Sequence, residues 1–211
     1  MTLIKPLHLW TALKKRQSVV YILYYRILFY LLGVKYGKKC NIKGKLYIYG
    51  EGKVVIGDNF TFVTSGYLNP LCRNIKGAIY TASDSSIVRI GNNVGMSSTC
   101  LWAHKGITIG DNVNIGADCI IMDNDAHPHD YIKRRNDYMN RVGWDAYVDE
   151  IPSAPVVIDD DVWIGSRCQI LKGVHIGARS IIAAGSVVTK DIPADCVAAG
   201  VPACPIKNRK V

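Results

Sequence analysis

Toward the C-terminal end, six aliphatic residues recur every six positions: Ile158, Ile164, Ile170, Ile176, Ile182 and Val188. Four residues after each stands Val162, Cys168, Val174, Ser180, Ser186 and Ile192. A period of six is neither the 3.6 of a helix nor the 2.0 of a strand. It is the period of a hexapeptide solenoid, a parallel β-helix. Three hexads close one triangular coil. The aliphatic residue points into a narrow interior and stacks on its copy in the next coil. The slot four residues later is a corner that takes only slim side chains. Glycine recurs just after the aliphatic residue, at Gly57, Gly91, Gly110, Gly116, Gly165 and Gly177, where it permits a bend and close backbone approach. One coil cannot bury its own apolar face, so coils have to stack.

Shorter runs of the same period come earlier: Ile109, Ile115 and Ile121; then Ile90, Met96 and Trp102, offset by one residue. Ile42, Ile48 and Val54 suggest a first coil, followed by Ile56 and Phe62 in a shifted register. Residues 63–86 fit no hexad. The expected fold is mostly β: a β-helix over 42–205 carrying an inserted loop at 123–155. A helical N-terminal segment over 1–41 precedes it, and a tail over 206–211 follows.

The chain has 211 residues and a net charge of +9, a length that suits one domain. The charge is concentrated: ten Lys and Arg and no acid lie in residues 1–46, and Glu51 is the first carboxylate. No nucleic-acid partner is expected. Seven cysteines show no C-x-x-C spacing. Cys100, Cys119 and Cys168 fall on corner slots and read as small buried hydrophobes. Free interior thiols suit a reducing compartment, so the expected location is the cytoplasm.

Residues 19–34 are apolar except for Arg26 and are flanked by Lys14, Lys15, Arg16, Lys35, Lys38 and Lys39. As a helix this run is apolar all round, so it is expected to be buried on most sides by protein or by lipid. Sixteen helical residues reach about 24 Å, short of a bilayer core of roughly 30 Å. No A-x-A-like cleavage site follows, so the segment reads as retained. Two expectations stand: helices docked on the solenoid or on neighbouring subunits, or a peripheral contact of residues 10–40 with the inner face of an anionic membrane.

The ladder breaks between Ile121 and Ile158. The break opens on Asp123-Asn124-Asp125-Ala126-His127-Pro128-His129-Asp130. A long excursion from a rigid scaffold is usually functional. A histidine among carboxylates at its root suits acid–base chemistry. Zinc ligation is the alternative for His127 and His129, but no third ligand stands at a recognisable spacing.

These stretches resemble the hexapeptide-repeat acyltransferases with a left-handed β-helix, most nearly the sugar O-acetyltransferases of the galactoside, maltose and surface-polysaccharide types. The resemblance covers about residues 87–207. It rests on Ile109-Gly110-Asp111-Asn112-Val113, on His127-Pro128-His129-Asp130 with Arg134, and on Val162-Trp163-Ile164-Gly165-Ser166. Gly185-Ser186-Val187-Val188-Thr189-Lys190-Asp191-Ile192-Pro193 and Ala199-Gly200-Val201-Pro202 complete it. The resemblance implies acetyl transfer from acetyl-CoA, a cosubstrate, directly to an acceptor hydroxyl, with His127 as general base and no metal. Asp123 or Asp125 would orient His127. Trp163, Ser166, Ala184, Thr189, Lys190 and Lys207 match positions that contact the cofactor. Cys204 and Lys207 stand where galactoside-type relatives carry arginines. On the acceptor side, Met96 replaces an asparagine and His104 an acid, which points away from a simple galactoside or maltose acceptor. His104, Trp102 and Trp144 are the candidate sugar contacts, with Tyr131, Tyr138 and Tyr147 as further aromatics. The resemblance also implies a homotrimer with active sites between subunits, a carbohydrate acceptor, and a place in cell-surface or capsular polysaccharide biosynthesis. N-acetylation of an amino sugar is the alternative, because a histidine base serves either nucleophile.

Overall fold

The computed structural model describes residues 20–66, 68–140 and 149–208, without the side chains of 136–140 and 207–208. A helix, α1 (20–31), comes first. Six coils follow, three short strands to each. The first has β1 (Lys35–Tyr36), β2 (Asn41–Lys43) and β3 (Leu46–Gly50); the second β4 (Lys53–Ile56), β5 (Thr61–Val63) and β6 (Gly77–Thr81). The third has β7 (Ile87–Ile90), β8 (Gly95–Ser97) and β9 (Cys100–Ala103); the fourth β10 (Gly106–Ile109), β11 (Asn114–Ile115) and β12 (Ile120–Met122). Helix α2 (Tyr131–Asn140) lies in the break. The fifth coil has β13 (Val156–Ile158), β14 (Trp163–Ile164) and β15 (Gln169–Ile170); the sixth β16 (His175–Ile176), β17 (Ile181–Ile182) and β18 (Val187–Val188). Two longer strands, β19 (Cys196–Gly200) and β20 (Ala203–Asn208), close the solenoid.

Corresponding strands of successive coils pair in parallel and build three sheets of six, eight and six strands. Sheet 1 starts at β1, sheet 2 at β2 and sheet 3 at β3; β20 joins sheet 2 antiparallel to β19. The mostly β parallel solenoid is therefore as the hexads require. All six residues of the C-terminal ladder are buried at its axis. Its glycines are tied to stacking: a Cβ on Gly165 would lie 2.6 Å from the nitrogen of Ala184 in the next coil.

Stacked side chains bolt the edge between sheets 1 and 2. The main-chain N–H of Asp58 donates to Asn92 Oδ1 (2.8 Å), that of Asn92 to Asp111 Oδ1 (2.6 Å), and that of Asp111 to Asp160 Oδ1 (2.7 Å). The next residue in each corner, Asn59, Asn93, Asn112 and Asp161, has a left-handed backbone with φ of 56–59°. Asn and Asp tolerate that conformation best among residues with a Cβ. The G-D-N-V stretches are thus the written form of one repeated corner.

Several expectations shift in detail. The first strand begins at Lys35, before the expected start at 42, and β20 runs to Asn208, past 205. In the third coil Leu101, not Trp102, points inward, because the corner after Met96 is one residue short of a hexad. Thr99 takes the buried slot assigned to Cys100, which is half-buried; Cys119 and Cys168 do fill theirs. In the first coil Leu46 is sealed and Ile48 only partly. The unplaced stretch 63–86 contains a loop, residues 64–76, before β6 rejoins sheet 3. Asp118 ties that loop down, accepting the main-chain N–H of Asn74 and Ile75 and the Asn74 amide at 2.9–3.3 Å.

Helix α1 is not wrapped on all sides. Tyr25 and Phe29 are buried against the first coil. The Tyr25 hydroxyl accepts the Leu46 N–H (2.6 Å) and donates to the Gly44 carbonyl (3.0 Å). The opposite face is exposed. Among the described residues no helix is long and apolar enough to cross a membrane. Residues 10–19 of the expected membrane contact lie outside the described residues.

Candidate active site

The break leaves sheet 3 after β12 and returns to sheet 1 at β13, so it springs from the edge between those sheets. Its two arms are zipped at the root. Asn124 and Ser153 form an antiparallel bridge, the Asp125 N–H donates to the Pro152 carbonyl (3.1 Å), and the Ala154 N–H to the Asp123 carbonyl (2.8 Å).

Asp123 is fully buried. Its carboxylate accepts the main-chain N–H groups of His104 (2.6 Å), Lys105 (2.7 Å) and Gly106 (2.6 Å), and its Oδ1 also takes the Asn124 amide (3.1 Å). Those N–H groups form the same corner one coil earlier. Asp123 therefore fastens the loop to the solenoid.

Asp125 takes other partners too. Its Oδ2 meets His129 Nε2 (2.6 Å) and its Oδ1 accepts Lys172 Nζ (2.6 Å) from the corner of the fifth coil. Burial alone would raise this carboxyl, but the Lys172 and His129 hydrogen bonds outweigh it and hold it below the usual range.

Asn124, buried, holds the turn between the two. Its Oδ1 accepts the Ala126 N–H (2.9 Å), and its amide donates to the Trp102 carbonyl (3.3 Å) as well as to Asp123. Ala126 has a left-handed φ of 65°, and the His127 N–H folds back on the Asp125 carbonyl (2.7 Å). His127 itself is exposed at the crest of this turn.

The residues after it lock the crest. Asp130 caps α2, its Oδ1 accepting the N–H groups of Ile132 (2.7 Å) and Lys133 (3.2 Å). Those two bonds, Lys133 first, lower its pKa. One turn on, Arg134 Nη1 reaches back to the carbonyls of Pro128 (2.9 Å) and His129 (3.0 Å). Lys133 pairs with Glu150 on the returning arm. The spacing from His127 to Arg134 is thus a scaffold for the His127 turn.

The remaining candidates divide between two edges. His104 lies on the His127 edge but turns inward: its Nδ1 meets Ser153 Oγ (2.9 Å), and its Nε2 is enclosed without a hydrogen-bond partner. Trp102 projects from the outer side of β9, half-buried, 5.9 Å from Tyr80. Thr189 and Lys190 are exposed at the corner after β18, two coils beyond the loop root on the same edge. Trp163, 55% exposed, stands on sheet 2. Ser166 and Ala184 stack in successive coils at the edge between sheets 2 and 3, the Gly185 N–H donating to the Ser166 carbonyl (2.8 Å). Sheet 3 separates them from His127. Lys207 lies on β20 opposite Val197, and Trp144 and Tyr147 are outside the described residues. Sequence reasoning missed Asn124, Ser153 and Lys172. Among the described residues no three histidine, cysteine or acidic side chains gather as a metal cage.

Residues 155–190 match the family model described as bacterial transferase hexapeptide (six repeats), and residues 106–121 that of the hexapeptide repeat of succinyl-transferase. The galactoside O-acetyltransferase of Escherichia coli (strain K12) is 44% identical over 96 residues, 46% of this chain and 41% of that protein. A 2,3,4,5-tetrahydropyridine-2,6-dicarboxylate N-acetyltransferase of Staphylococcus aureus (strain MRSA252) is 40% identical over 102 residues, 48% of this chain and 33% of that protein. Among solved structures, a hexapeptide-repeat acetyltransferase of Vibrio cholerae O1 biovar eltor, complexed with acetyl coenzyme A, is similar with a TM-score of 0.51 at 32% identity, covering 63% of this chain and 66% of that one. The chain spans less than half the length of the two curated relatives. Hexads, stacked coils and matched repeats together make the chain a hexapeptide-repeat β-helix similar to the hexapeptide-repeat acyltransferases.

Proposed function

We propose that the chain transfers an acetyl group from acetyl-CoA to a hydroxyl of a carbohydrate acceptor, in the assembly of a cell-surface or capsular polysaccharide. The carrying observation is the His127 turn: the exposed His127 imidazole on a loop braced by Asn124, Asp130 and Arg134. A sugar hydroxyl is a poor nucleophile at neutral pH. His127 takes its proton as the oxygen attacks the thioester carbonyl. The tetrahedral intermediate collapses, the C–S bond breaks, and the proton passes from His127 to the departing CoA thiolate. Asp125, bridged to His129 and Lys172, sets the charge beside the turn.

The site is split in one subunit, and this supports a homotrimer. His127 and Lys190 line one edge; Trp163, Ser166 and Ala184 lie across sheet 3. Rotating one subunit against another sets the first edge of one copy beside the second edge of its neighbour. The groove between copies would hold the cofactor, with Ser166 and Ala184 as slim walls and Lys190 as a point charge for phosphate. Trp102 is the candidate acceptor contact.

A second reading is N-acetylation of an amino sugar. The similarity to an N-acetyltransferase at 40% identity supports it. One experiment separates them: thiol release from acetyl-CoA against sugars, nucleotide-linked amino sugars and lipid-linked glycans, followed by hydroxylamine treatment of the product. An ester is cleaved by hydroxylamine and an amide survives. No thiol release with any acceptor contradicts both.

A further inference from the structure

Helix α1 has two apolar faces, and the solenoid uses one. Tyr21, Tyr25, Leu28 and Phe29 pack on the first coil. On the other side Val20, Leu23, Tyr24, Ile27, Tyr30 and Leu31 recur at three- and four-residue steps, the spacing of a single helical stripe. Leu23 is 61% exposed, Ile27 55%, Tyr30 85% and Leu31 72%. A contiguous exposed apolar stripe of this kind marks a contact surface.

Charge decides what covers it. The first coil, on which α1 packs, exposes Lys35, Lys38, Lys39 and Lys45, and Arg26 on the helix is exposed as well; the acid at the Lys38 corner, Asp58, is engaged by the Lys38 N–H. No acidic residue precedes Glu51 in the chain. Two copies of such a face would bring like charges together, which disfavours self-association through it. An apolar stripe framed by cations fits an anionic lipid surface, the acyl boundary taking the stripe and the headgroups the lysines.

We propose that the outer face of α1, with Lys35, Lys38 and Lys39, docks the protein peripherally on an anionic phospholipid bilayer. The docked face is at the first coil, and the His127 loop leaves the fourth. Three strand spacings of about 4.8 Å put the loop root roughly 14 Å farther along the solenoid axis. On the acetyltransferase reading, the acceptor is then a membrane-anchored glycan modified some sugars out from its anchor.

The test is flotation of the full chain with phosphatidylcholine vesicles, with and without about 30 mol% phosphatidylglycerol. The chain is expected to float with the anionic vesicles, at least tenfold less with neutral ones, and to be released by about 1 M salt. The triple variant Leu23→Gln, Ile27→Gln, Leu31→Gln should lose flotation while keeping its melting temperature. The variant Lys35→Gln, Lys38→Gln, Lys39→Gln should lose at least about tenfold. Absence of wild-type flotation, or equal flotation with neutral vesicles, overturns the proposal. So does an assembly in sedimentation velocity that the apolar variant dissolves without any vesicle binding, which would assign the face to a second copy. Flotation without acetyl transfer would count against the acetyltransferase reading and leave the docking intact.

Discussion

Lys172 Nζ lies 2.6 Å from Asp125 Oδ1, joining the corner of the fifth coil to the loop that leaves the fourth. The two residues are far apart in sequence and adjacent only because coils stack. With His129 on its other oxygen, Asp125 anchors the segment that presents His127.

Removing this latch should loosen the loop before it harms the fold. Lys172→Met is expected to lower kcat about tenfold through misplacement of His127, with little change in melting temperature. Because the folded Asp125 carboxyl is held below its ordinary value, its contribution is full above the unfolded pKa of about 3.9 and is lost as pH falls through the lower folded value. The protection of the Ala126 and His127 amides, taken relative to their intrinsic exchange at each pH, should therefore hold above the ordinary carboxylate range and fall at lower pH. In Asp125→Asn the protection should be reduced throughout.

Asp123 makes the opposite prediction. It is buried and accepts three main-chain N–H groups of the neighbouring corner. Asp123→Ala orphans all three and should cost about 3 kcal/mol or more, a fall of roughly 6–12 °C in melting temperature at this chain length. Differential scanning calorimetry checks it. A shift as small as that of His127→Ala would mean the corner does not depend on the carboxylate.

Among the described residues, Arg134 bonds to carbonyls of the turn after His127. Arg134→Ala is expected to reduce kcat about tenfold and leave KM for acetyl-CoA within about twofold, since on the proposed reading the side chain acts by holding the turn that carries His127. A rise in KM with unchanged kcat would assign it to binding instead.

The split of the site across sheet 3 predicts a composite assembly. Multi-angle light scattering at micromolar concentration should give three times the mass of one chain. A mixture of His127→Ala with Ser166→Trp, each inactive alone, should recover activity as mixed trimers form, because some interfaces then carry neither lesion. A monomer, or no recovery on mixing, would place all the chemistry on one subunit.

Much of the scaffold was written in the hexads, because each aliphatic residue reports one interior position and the spacing is fixed by coil geometry. Where a corner gains or loses residues the pattern misleads: Trp102 falls on the six-residue count, yet Leu101 is inside. The 64–76 loop hides β6 in the same way, since its anchor, Asp118, lies two coils away in sequence. The His127 loop was visible as the one long gap in the ladder. The tasks of its carboxylates were not, because Asp123 binds main-chain groups that carry no sequence signature, and Asp125 binds a lysine reached only through stacking. The amphipathic stripe of α1 was blurred for a related reason: both faces are apolar, and only packing shows which one the solenoid takes.

The central claim is that His127 is the general base. It is tested most directly by thiol release from acetyl-CoA under saturating acceptor, comparing the wild-type chain with His127→Ala in preparations shown to have equal melting temperature and mass. The account predicts a fall in kcat of at least about 100-fold, the scale of a lost general base. Turnover unchanged by the substitution would contradict it.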